Sequence, residues 1–205
     1  EPLGEVIRKR GSTRRFARDP ISQAQFEAIL AGSSRGSPSD FHRRDGGSLV
    51  DMYTIVHAVD GMPAGSYYFD PQTSKLELLR EGDLRARAGH LCFEQALGAD
   101  ASAVTFFMAD LEAIFQRYGN RGYRAAQLEA GIVGGKMYLC AHSLGLGATG
   151  MTFYDDEVAE FFSPHAEGKS LMFLVAVGVA GRPNRVRPFR SQIAVTLDAL
   201  ARGAS

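Results

Sequence analysis

The sequence predicts a single α+β domain over residues 1–205. The main evidence is two apolar segments of strand length, Ala103–Ala109 and Leu171–Val179, with a long helical pattern between them. A further strand is predicted at Leu49–Val59, where β-branched residues alternate with other types. Neither a repeat nor a linker divides the chain, and 205 residues with 45% hydrophobic content can bury a core of their own.

The first part of the chain predicts two helices and a loop. Pro2–Arg10 is expected to open the chain as a short helix, because proline is tolerated in a first turn. Ser22–Gln25 is a capping box, and the apolar stripe in Phe26–Leu30 predicts a second helix that ends at Gly32. The polar, glycine-rich stretch Gly36–Ser48 is predicted to be a loop.

The middle of the chain predicts a hairpin, a helix and a buried strand. After Leu49–Val59, the segments Ser66–Phe69 and Lys75–Leu79 have the length and composition of paired strands. Asp83 can cap a helix that continues to about Leu97. The next strand is Ala103–Ala109, described above.

The longest helical pattern, Tyr123–Leu144, is apolar on more than one side and is therefore predicted to be a central helix. Shorter helices are predicted at Leu111–Tyr118 before it and Asp155–Phe162 after it. Because Leu171–Val179 is apolar throughout, we expect it in the middle of a sheet.

Composition excludes several classes of function. With 23 Lys and Arg against 23 Asp and Glu, the chain has no net charge, which argues against nucleic-acid binding through a basic field. No apolar stretch approaches the roughly 20 residues of a membrane span. Cys92 and Cys140 form neither a disulfide framework nor a zinc site, and none of the five histidines has a partner at metal-ligand spacing. We expect a cytoplasmic protein without a metal, whose histidines lie in the core or on the surface.

Two arginine-rich segments are candidates for binding an anion. Arg10, Ser12 and Arg14 alternate along the chain, so an extended backbone would place two cations and a hydroxyl on one face. Guanidinium forks and a hydroxyl suit phosphate oxygens. Arg185 and Arg187 alternate in the same way near the C-terminus. Each segment alone also fits an exposed basic turn or tail; together they could form one phosphate clamp.

The central helix contains Gly131, Gly134 and Gly135, each at a cost of roughly 1 kcal/mol relative to alanine. Either the close approach of another helix or a ligand, or tight packing in the core, would explain why they are retained.

Taken in order, these segments resemble the FMN-dependent nitroreductase superfamily over nearly the whole chain. The similarity lies in the N-terminal Arg-x-Ser-x-Arg-x-Phe, the Gly-Leu-Gly that follows the central helix, the late buried strand and the C-terminal Arg-x-Arg-Pro. The resemblance implies a mostly antiparallel central sheet flanked by helices, in an intertwined homodimer with FMN at the interface.

The resemblance also assigns the candidate cofactor-binding residues. The FMN phosphate would be held by Arg10, Ser12 and Arg14, with Arg185 and Arg187 completing the clamp. A loop that approaches the flavin from the partner subunit is matched by Pro38 and Ser39. The flavin edge would face Met151, Thr152 and Phe153, and the donors near N5 and O4 would come from the last two.

Several segments resemble the SagB-type dehydrogenases, which oxidise azoline rings to azoles in peptides. These segments are Gly65–Asp70, Arg117–Arg124 and Leu128–Gly131. That branch uses a Lys-Tyr pair to remove the ring proton, and the matching pair here is Arg117-Tyr118. An arginine stays protonated and is a poor base, but as a fixed cation it favours the phenolate form of a neighbouring tyrosine. Tyr118 and Arg117 are therefore the candidate catalytic residues.

The resulting hypothesis is an FMN-dependent oxidoreductase that acts on a small molecule or a peptide, as an azoline-type dehydrogenase or an NAD(P)H-dependent reductase. The alternative is a degenerate module that binds flavin or a partner without turnover, since Arg117 replaces the expected lysine.

Overall fold

The structure is a computed structural model that describes residues 2–36 and 48–181. The helices of this part of the chain are α1 Leu3–Lys9, α2 Gln23–Ser34, α3 Arg85–Leu91, α4 Ala96–Asp100, α5 Leu111–Tyr118, α6 Arg121–Ser143 and α7 Asp155–Phe162. The strands are β1 Asp51–Val56, β2 Gly65–Asp70, β3 Lys75–Glu81, β4 Ala103–Ala109, β5 Gly147–Gly150 and β6 Ser170–Gly178.

The six strands form one sheet in the order β3-β2-β1-β4-β6-β5, and every neighbouring pair is antiparallel. Strand β6 lies between β4 and β5, which confirms the prediction of an interior strand at Leu171–Val179. The predicted hairpin is also confirmed, as β2 and β3. The α+β fold class expected from the sequence is therefore correct.

The sheet separates two hydrophobic cores, because successive side chains of a strand point to opposite faces. On β4, Phe107 packs with the residues of α2 and α6, whereas its neighbour Phe106 packs with those of α3 and α7. Both phenylalanine side chains are fully buried. Helix α6 lies across β5 and β6, so residues along its length can reach the edge of the sheet at β5.

The predicted helix from Asp83 to Leu97 is wrong in one respect, because the structure divides it into α3 and α4. The break occurs at Phe93 and Glu94, whose φ angles are +60° and +57°. A left-handed backbone cannot continue a right-handed helix.

Helix α2 continues past the predicted end at Gly32 to Ser34. The hydroxyl groups of Ser33 and Ser34 donate to the carbonyl oxygens of Leu30 (3.0 Å) and Ala31 (3.2 Å), which supports the additional residues. Strand β5 was not predicted from the sequence at all.

Within the described residues, no helix has the length and apolar character to cross a membrane. The same residues include no group of three or more His, Cys, Asp or Glu side chains arranged to hold a metal ion.

Candidate active site

The first arm of the candidate site is the segment Gly11–Ala17, which lies along the edge of the sheet. Ser12 forms a parallel bridge with Ala148 of β5, and the Thr13 N–H donates to the Ala148 carbonyl (2.9 Å). Farther along, the Ala17 N–H donates to the carbonyl of Val179, just beyond β6 (3.0 Å). The backbone of the segment is therefore held by the end of the sheet, as the hypothesis of an extended anion-binding segment requires.

Gly147 permits this close approach. A Cβ atom at Gly147 would lie 2.3 Å from Thr13 Oγ1, a distance that real side chains do not tolerate. The glycine of the Gly-Leu-Gly motif thus has a specific role, because it allows the Gly11–Ala17 segment to lie directly on β5.

Two side chains of α6 hold the same segment from the other side. The Nε2 atom of His142 lies 2.9 Å from the Gly11 carbonyl oxygen. One turn earlier, Tyr138 Oη lies 3.3 Å from Ser12 Oγ and also accepts a hydrogen bond from the Gly150 N–H. Burial lowers the pKa of His142, and the cation of Arg10 contributes to the same shift. His142 is therefore expected to be neutral at neutral pH.

The charges of this segment suit an anion. The side chains of Arg10 and Arg14 are exposed, and Ser12 lies half-buried between them. Among the described residues, no carboxylate forms an ion pair with Arg10 or Arg14. Two uncompensated guanidinium groups and a hydroxyl on one short segment are the donor set that a phosphate group requires.

The second arm, Met151–Phe153, follows β5 directly. Met151 is buried and Thr152 is exposed. Within the described part of the chain, no hydrogen bond uses the backbone N–H groups of Thr152 or Phe153, whereas the Tyr154 N–H donates to the Leu91 carbonyl (3.2 Å). Two successive backbone donors are thus available to a ligand beside β5.

The turn between α3 and α4 lies against this second arm. Gln95 Nε2 donates to Thr152 Oγ1 (3.0 Å), and the ring of Phe93 packs on Tyr154 with 4.8 Å between centroids. Phe93 is 52% exposed, and its φ angle is positive. Strained backbone of this kind is common at functional sites, where surrounding contacts maintain it.

His90 fixes the turn in place. Its Nε2 lies 2.7 Å from Glu157 Oε2 on α7, and its Nδ1 is hydrogen-bonded to Glu94. The hydrogen bonds to Glu157 and then Glu94 raise the pKa of His90. The His90 imidazole therefore connects α3 with α7, the helix that follows the second arm.

Arg117 and Tyr118 lie together at the end of α5. The Arg117 guanidinium carbon is 4.9 Å from the centroid of the Tyr118 ring, a cation–π contact. The chain leaves the helix at Gly119, which has a φ of +60°. No hydrogen bond or ring contact among the described residues joins Tyr118 to either arm. Because α6 begins beside α5, about 16 residues or roughly 24 Å of helix separate this pair from Tyr138.

The remaining predicted residues, Pro38, Ser39, Arg185 and Arg187, lie outside the described residues. The sequence did not identify three residues of the site, Gln95, Tyr138 and His142. Of these, His142 was expected to be a core or surface residue. A signal for the last two was present, since Gly131, Gly135, Tyr138 and His142 recur at spacings of three and four on one side of α6.

The sequence profile of the Nitroreductase family matches residues 7–179. The chain therefore belongs to the Nitroreductase family. A relative in Methanocaldococcus jannaschii, described as the nitroreductase MJ1384, is 27% identical over 163 residues, which cover 77% of this chain and 82% of the relative.

Solved structures share the fold. A crystal structure from Anabaena variabilis, named as a nitroreductase, is 30% identical with a TM-score of 0.79, and the match covers 86% of this chain but only 38% of the Anabaena chain. This chain thus spans less than half the length of that protein.

Two further structures resemble this chain in fold alone. The E. coli microcin synthetase McbBCD complex with truncated pro-MccB17 bound has a TM-score of 0.71 at 18% identity, covering 85% of this chain and 71% of that one. The NADPH:FMN oxidoreductase of Vibrio harveyi, complexed with NAD+, has a TM-score of 0.64 at 16% identity, covering 100% of this chain and 86% of that one.

Proposed function

We propose that this chain is an FMN-dependent oxidoreductase. The observation that carries the proposal is that β5 joins the segment Gly11–Ala17, which with Arg10 provides donors suited to an anion, to the segment Met151–Phe153, in which two backbone N–H groups have no acceptor among the described residues. A ligand that combines a phosphate with a polar planar edge matches both arms. FMN has these two features, and the Vibrio harveyi structure with this fold is named as an FMN oxidoreductase.

The residues present fit FMN. Its phosphate would be held by Arg10, Ser12 and Arg14, with Arg185 and Arg187 proposed to complete the clamp. Pro38 and Ser39 are proposed to approach the flavin from a partner subunit. We infer FMN rather than FAD because the donor set suits one terminal phosphate and no dinucleotide motif occurs in the sequence.

When bound, FMN supplies the hydride chemistry, and the protein supplies binding, orientation and electrostatics. The N–H groups of Thr152 and Phe153 would be directed at the polar edge of the ring system, where preorganised donors stabilise developing negative charge. Gln95 maintains the Thr152 side chain in position through its 3.0 Å hydrogen bond.

A homodimer is part of the proposal. Gly131 and Gly135 leave open space on α6, beside the exposed side chains of Leu128 (54%) and Tyr123 (45%). Such a surface allows two α6 helices to approach closely across a two-fold axis. In an antiparallel pair of α6 helices, Tyr118 of one subunit would lie near the proposed phosphate-binding segment of the other. Within one chain, the length of α6 keeps Tyr118 away from that segment.

For the substrate, we propose an azoline ring in a peptide, with NAD(P)H-dependent reduction as the alternative reaction. The sequence motifs of the SagB-type branch and the peptide-bound McbBCD structure support the first, and the NAD+ of the Vibrio harveyi structure supports the second. In the azoline reaction Tyr118 Oη is proposed to accept or relay the ring proton, and the guanidinium of Arg117 stacks on the Tyr118 ring.

The test begins with the absorption spectrum of the purified protein and mass spectrometry of its released cofactor. We expect bound FMN, bleached under anaerobic conditions by NADH, by NADPH or by a thiazoline-containing peptide. FAD as the main cofactor, or no flavin after reconstitution, would contradict the proposal.

The choice of reductant separates the candidate reactions. Bleaching by the thiazoline peptide with formation of a thiazole supports azoline oxidation, and bleaching by nicotinamide alone supports the reductase. Flavin that is retained but reduced by none of these donors supports the alternative of a binding module without turnover.

A further inference from the structure

The hydroxyl group of Tyr138 connects the two arms of the candidate site. Tyr138 Oη accepts a hydrogen bond from the N–H of Gly150, which immediately precedes the second arm. On its other side, Tyr138 Oη lies 3.3 Å from Ser12 Oγ in the first arm. Positions 12 and 138 are 126 residues apart in the chain, so only the tertiary fold brings these groups together.

Either hydroxyl group can donate in the hydrogen bond between Tyr138 and Ser12, so its direction depends on which remaining proton finds an acceptor. A tyrosine hydroxyl has one proton to donate and can accept at its oxygen. Tyr138 Oη already accepts from the Gly150 N–H, and among the described residues Ser12 Oγ is its remaining hydrogen-bond partner. If Tyr138 donates to Ser12, the Ser12 proton is left for an acceptor beside Arg10 and Arg14; in the opposite direction the Tyr138 proton is left without an acceptor in the described part of the chain. A phosphate bound beside the two arginines would accept the Ser12 proton and so favour the first direction.

This direction has a consequence for Ser12. Because Ser12 Oγ accepts from Tyr138, its own proton is free to be donated, and no described residue receives it. Hydrogen bonds in such a chain polarise one another, so the terminal O–H becomes a better donor. The free O–H lies between Arg10 and Arg14, and an acceptor-only anion such as a phosphate monoester would receive it.

We propose that Tyr138 is a positioning residue for the phosphate of a bound flavin mononucleotide, because it holds the Ser12 hydroxyl as a hydrogen-bond donor toward that phosphate. This inference rests on the proposed function. It adds Tyr138 of α6 to the residues that support cofactor binding. Tyr138 would contact Ser12, and neither the reacting atoms nor the cofactor. Its effect is confined to the phosphate end of the ligand.

The experiment compares FMN with riboflavin, which lacks the phosphate. Apoprotein is titrated with each flavin, and Kd is measured from flavin fluorescence for wild type, Tyr138→Phe and Ser12→Ala. Tyr67→Phe is the matched control, since the Tyr67 hydroxyl donates to the Pro63 carbonyl oxygen (2.6 Å) and strands β1, β4 and β6 separate β2 from β5.

We expect Tyr138→Phe to weaken FMN binding about tenfold, or about 1.4 kcal/mol, and to change the Kd for riboflavin less than twofold. Ser12→Ala should show the same selective loss. The double variant should bind FMN no more weakly than Ser12→Ala, because Tyr138 acts through Ser12. Inorganic phosphate should compete with FMN more strongly in wild type than in Tyr138→Phe.

Other outcomes overturn the proposal. Equal losses for FMN and riboflavin would assign Tyr138 a merely structural role, and an unchanged Kd for FMN would remove it from the site. If Tyr138→Phe does not fold, Ser12→Ala tests the proposal instead. An equal increase in its Kd for FMN and for riboflavin would contradict a Ser12 hydroxyl directed at the phosphate. A wild-type protein that binds neither flavin would instead refute the proposed function itself, which the wild-type titration shows without any variant.

Discussion

The two sides of helix α6 differ in what surrounds their glycines. At Gly134, on the buried side, a Cβ atom would lie 2.7 Å from the ring of Phe173, so no larger residue fits without displacing a neighbour. At Gly131 and Gly135, on the exposed side, a Cβ atom would meet no described atom within 4 Å. The structure thus supports tight packing in the core as the reason for Gly134.

Among the described residues, packing explains one of the three glycines, Gly134, and offers no contact that explains the other two. A helix-interior glycine costs roughly 1 kcal/mol relative to alanine. For Gly134 the contact with β6 offsets that cost. For Gly131 and Gly135 the described residues provide no such contact, which agrees with our proposal that a second subunit packs there.

The largest effect is expected on the buried side. Gly134→Leu should lower the free energy of unfolding by about 3 kcal/mol, because the added side chain would overlap Phe173 and Val175 on β6. Urea unfolding of the purified variant measures this. Gly135→Leu is the control, and we expect it to retain the far-UV circular dichroism of the wild type. Equal damage from both substitutions would mean that the two sides do not differ as described.

The second prediction concerns assembly on the open side. Gly135→Leu should convert a homodimer of about 44 kDa, twice the chain mass of 22.2 kDa, into monomers, and should reduce flavin content with it. The reason is that a leucine would hold two α6 backbones apart. Light scattering measures the mass, and the ratio of absorbance at flavin and protein wavelengths measures the cofactor. A wild-type protein that is a flavin-bound monomer of about 22 kDa would contradict the proposed dimer.

A third prediction uses two adjacent residues that fall on different sides. Glu129 is only 6% exposed and accepts hydrogen bonds from Ser48 Oγ (2.7 Å) and the Leu49 N–H (2.8 Å), whereas Leu128 is 54% exposed. Glu129→Ala should lower the free energy of unfolding by about 2 kcal/mol, since it leaves polar groups before β1 without their partner. Leu128→Ala should change it by less than about 0.5 kcal/mol but weaken the dimer. Thermal unfolding of protein diluted until the dimer dissociates measures the stability of the monomer. Comparison with concentrated protein then measures the contribution of the dimer.

The fourth prediction concerns the end of α6 that contacts the Gly11–Ala17 segment, where we propose that phosphate binds. Arg14→Ala should weaken FMN binding by about 1.5 kcal/mol or slightly more, roughly tenfold to thirtyfold, because a charge-assisted hydrogen bond is lost. Lys9→Ala is the control, since Lys9 forms an exposed ion pair with Glu5 (3.6 Å). Flavin retention during dialysis is the measurement. Similar retention in both variants would count against the proposed clamp.

The smallest effect is expected at Tyr118, the last residue of α5, which precedes the start of α6. Tyr118→Phe should leave reduction of the flavin by nicotinamide unchanged and slow oxidation of a proton-bearing azoline substrate at least about tenfold, roughly 1.4 kcal/mol of barrier. The two half-reactions are followed separately by stopped-flow absorbance. If neither rate changes, Tyr118 has no catalytic role, and the azoline hypothesis loses its main residue.

Local pattern was sufficient to predict most of the fold. The capping box at Ser22 is present as predicted, and its side chain accepts from the Gln25 N–H (3.2 Å). The apolar run at Leu171–Val179 predicted an interior strand, because a strand that is covered on both faces has no polar side. The long pattern Tyr123–Leu144 coincides with α6 to within two residues. These features succeed because periodicity and caps are properties of neighbouring residues.

The sequence also determined the chemistry of the first arm, since the alternation of Arg10, Ser12 and Arg14 can be read without a structure. Only the tertiary structure decided where this segment lies. Its supports, Ala148, Tyr138 and His142, are more than 120 residues away along the chain, and such contacts leave no local pattern. The same holds for β5, because four residues of Gly-Ala-Thr-Gly have little strand propensity and become a strand only through pairing with β6.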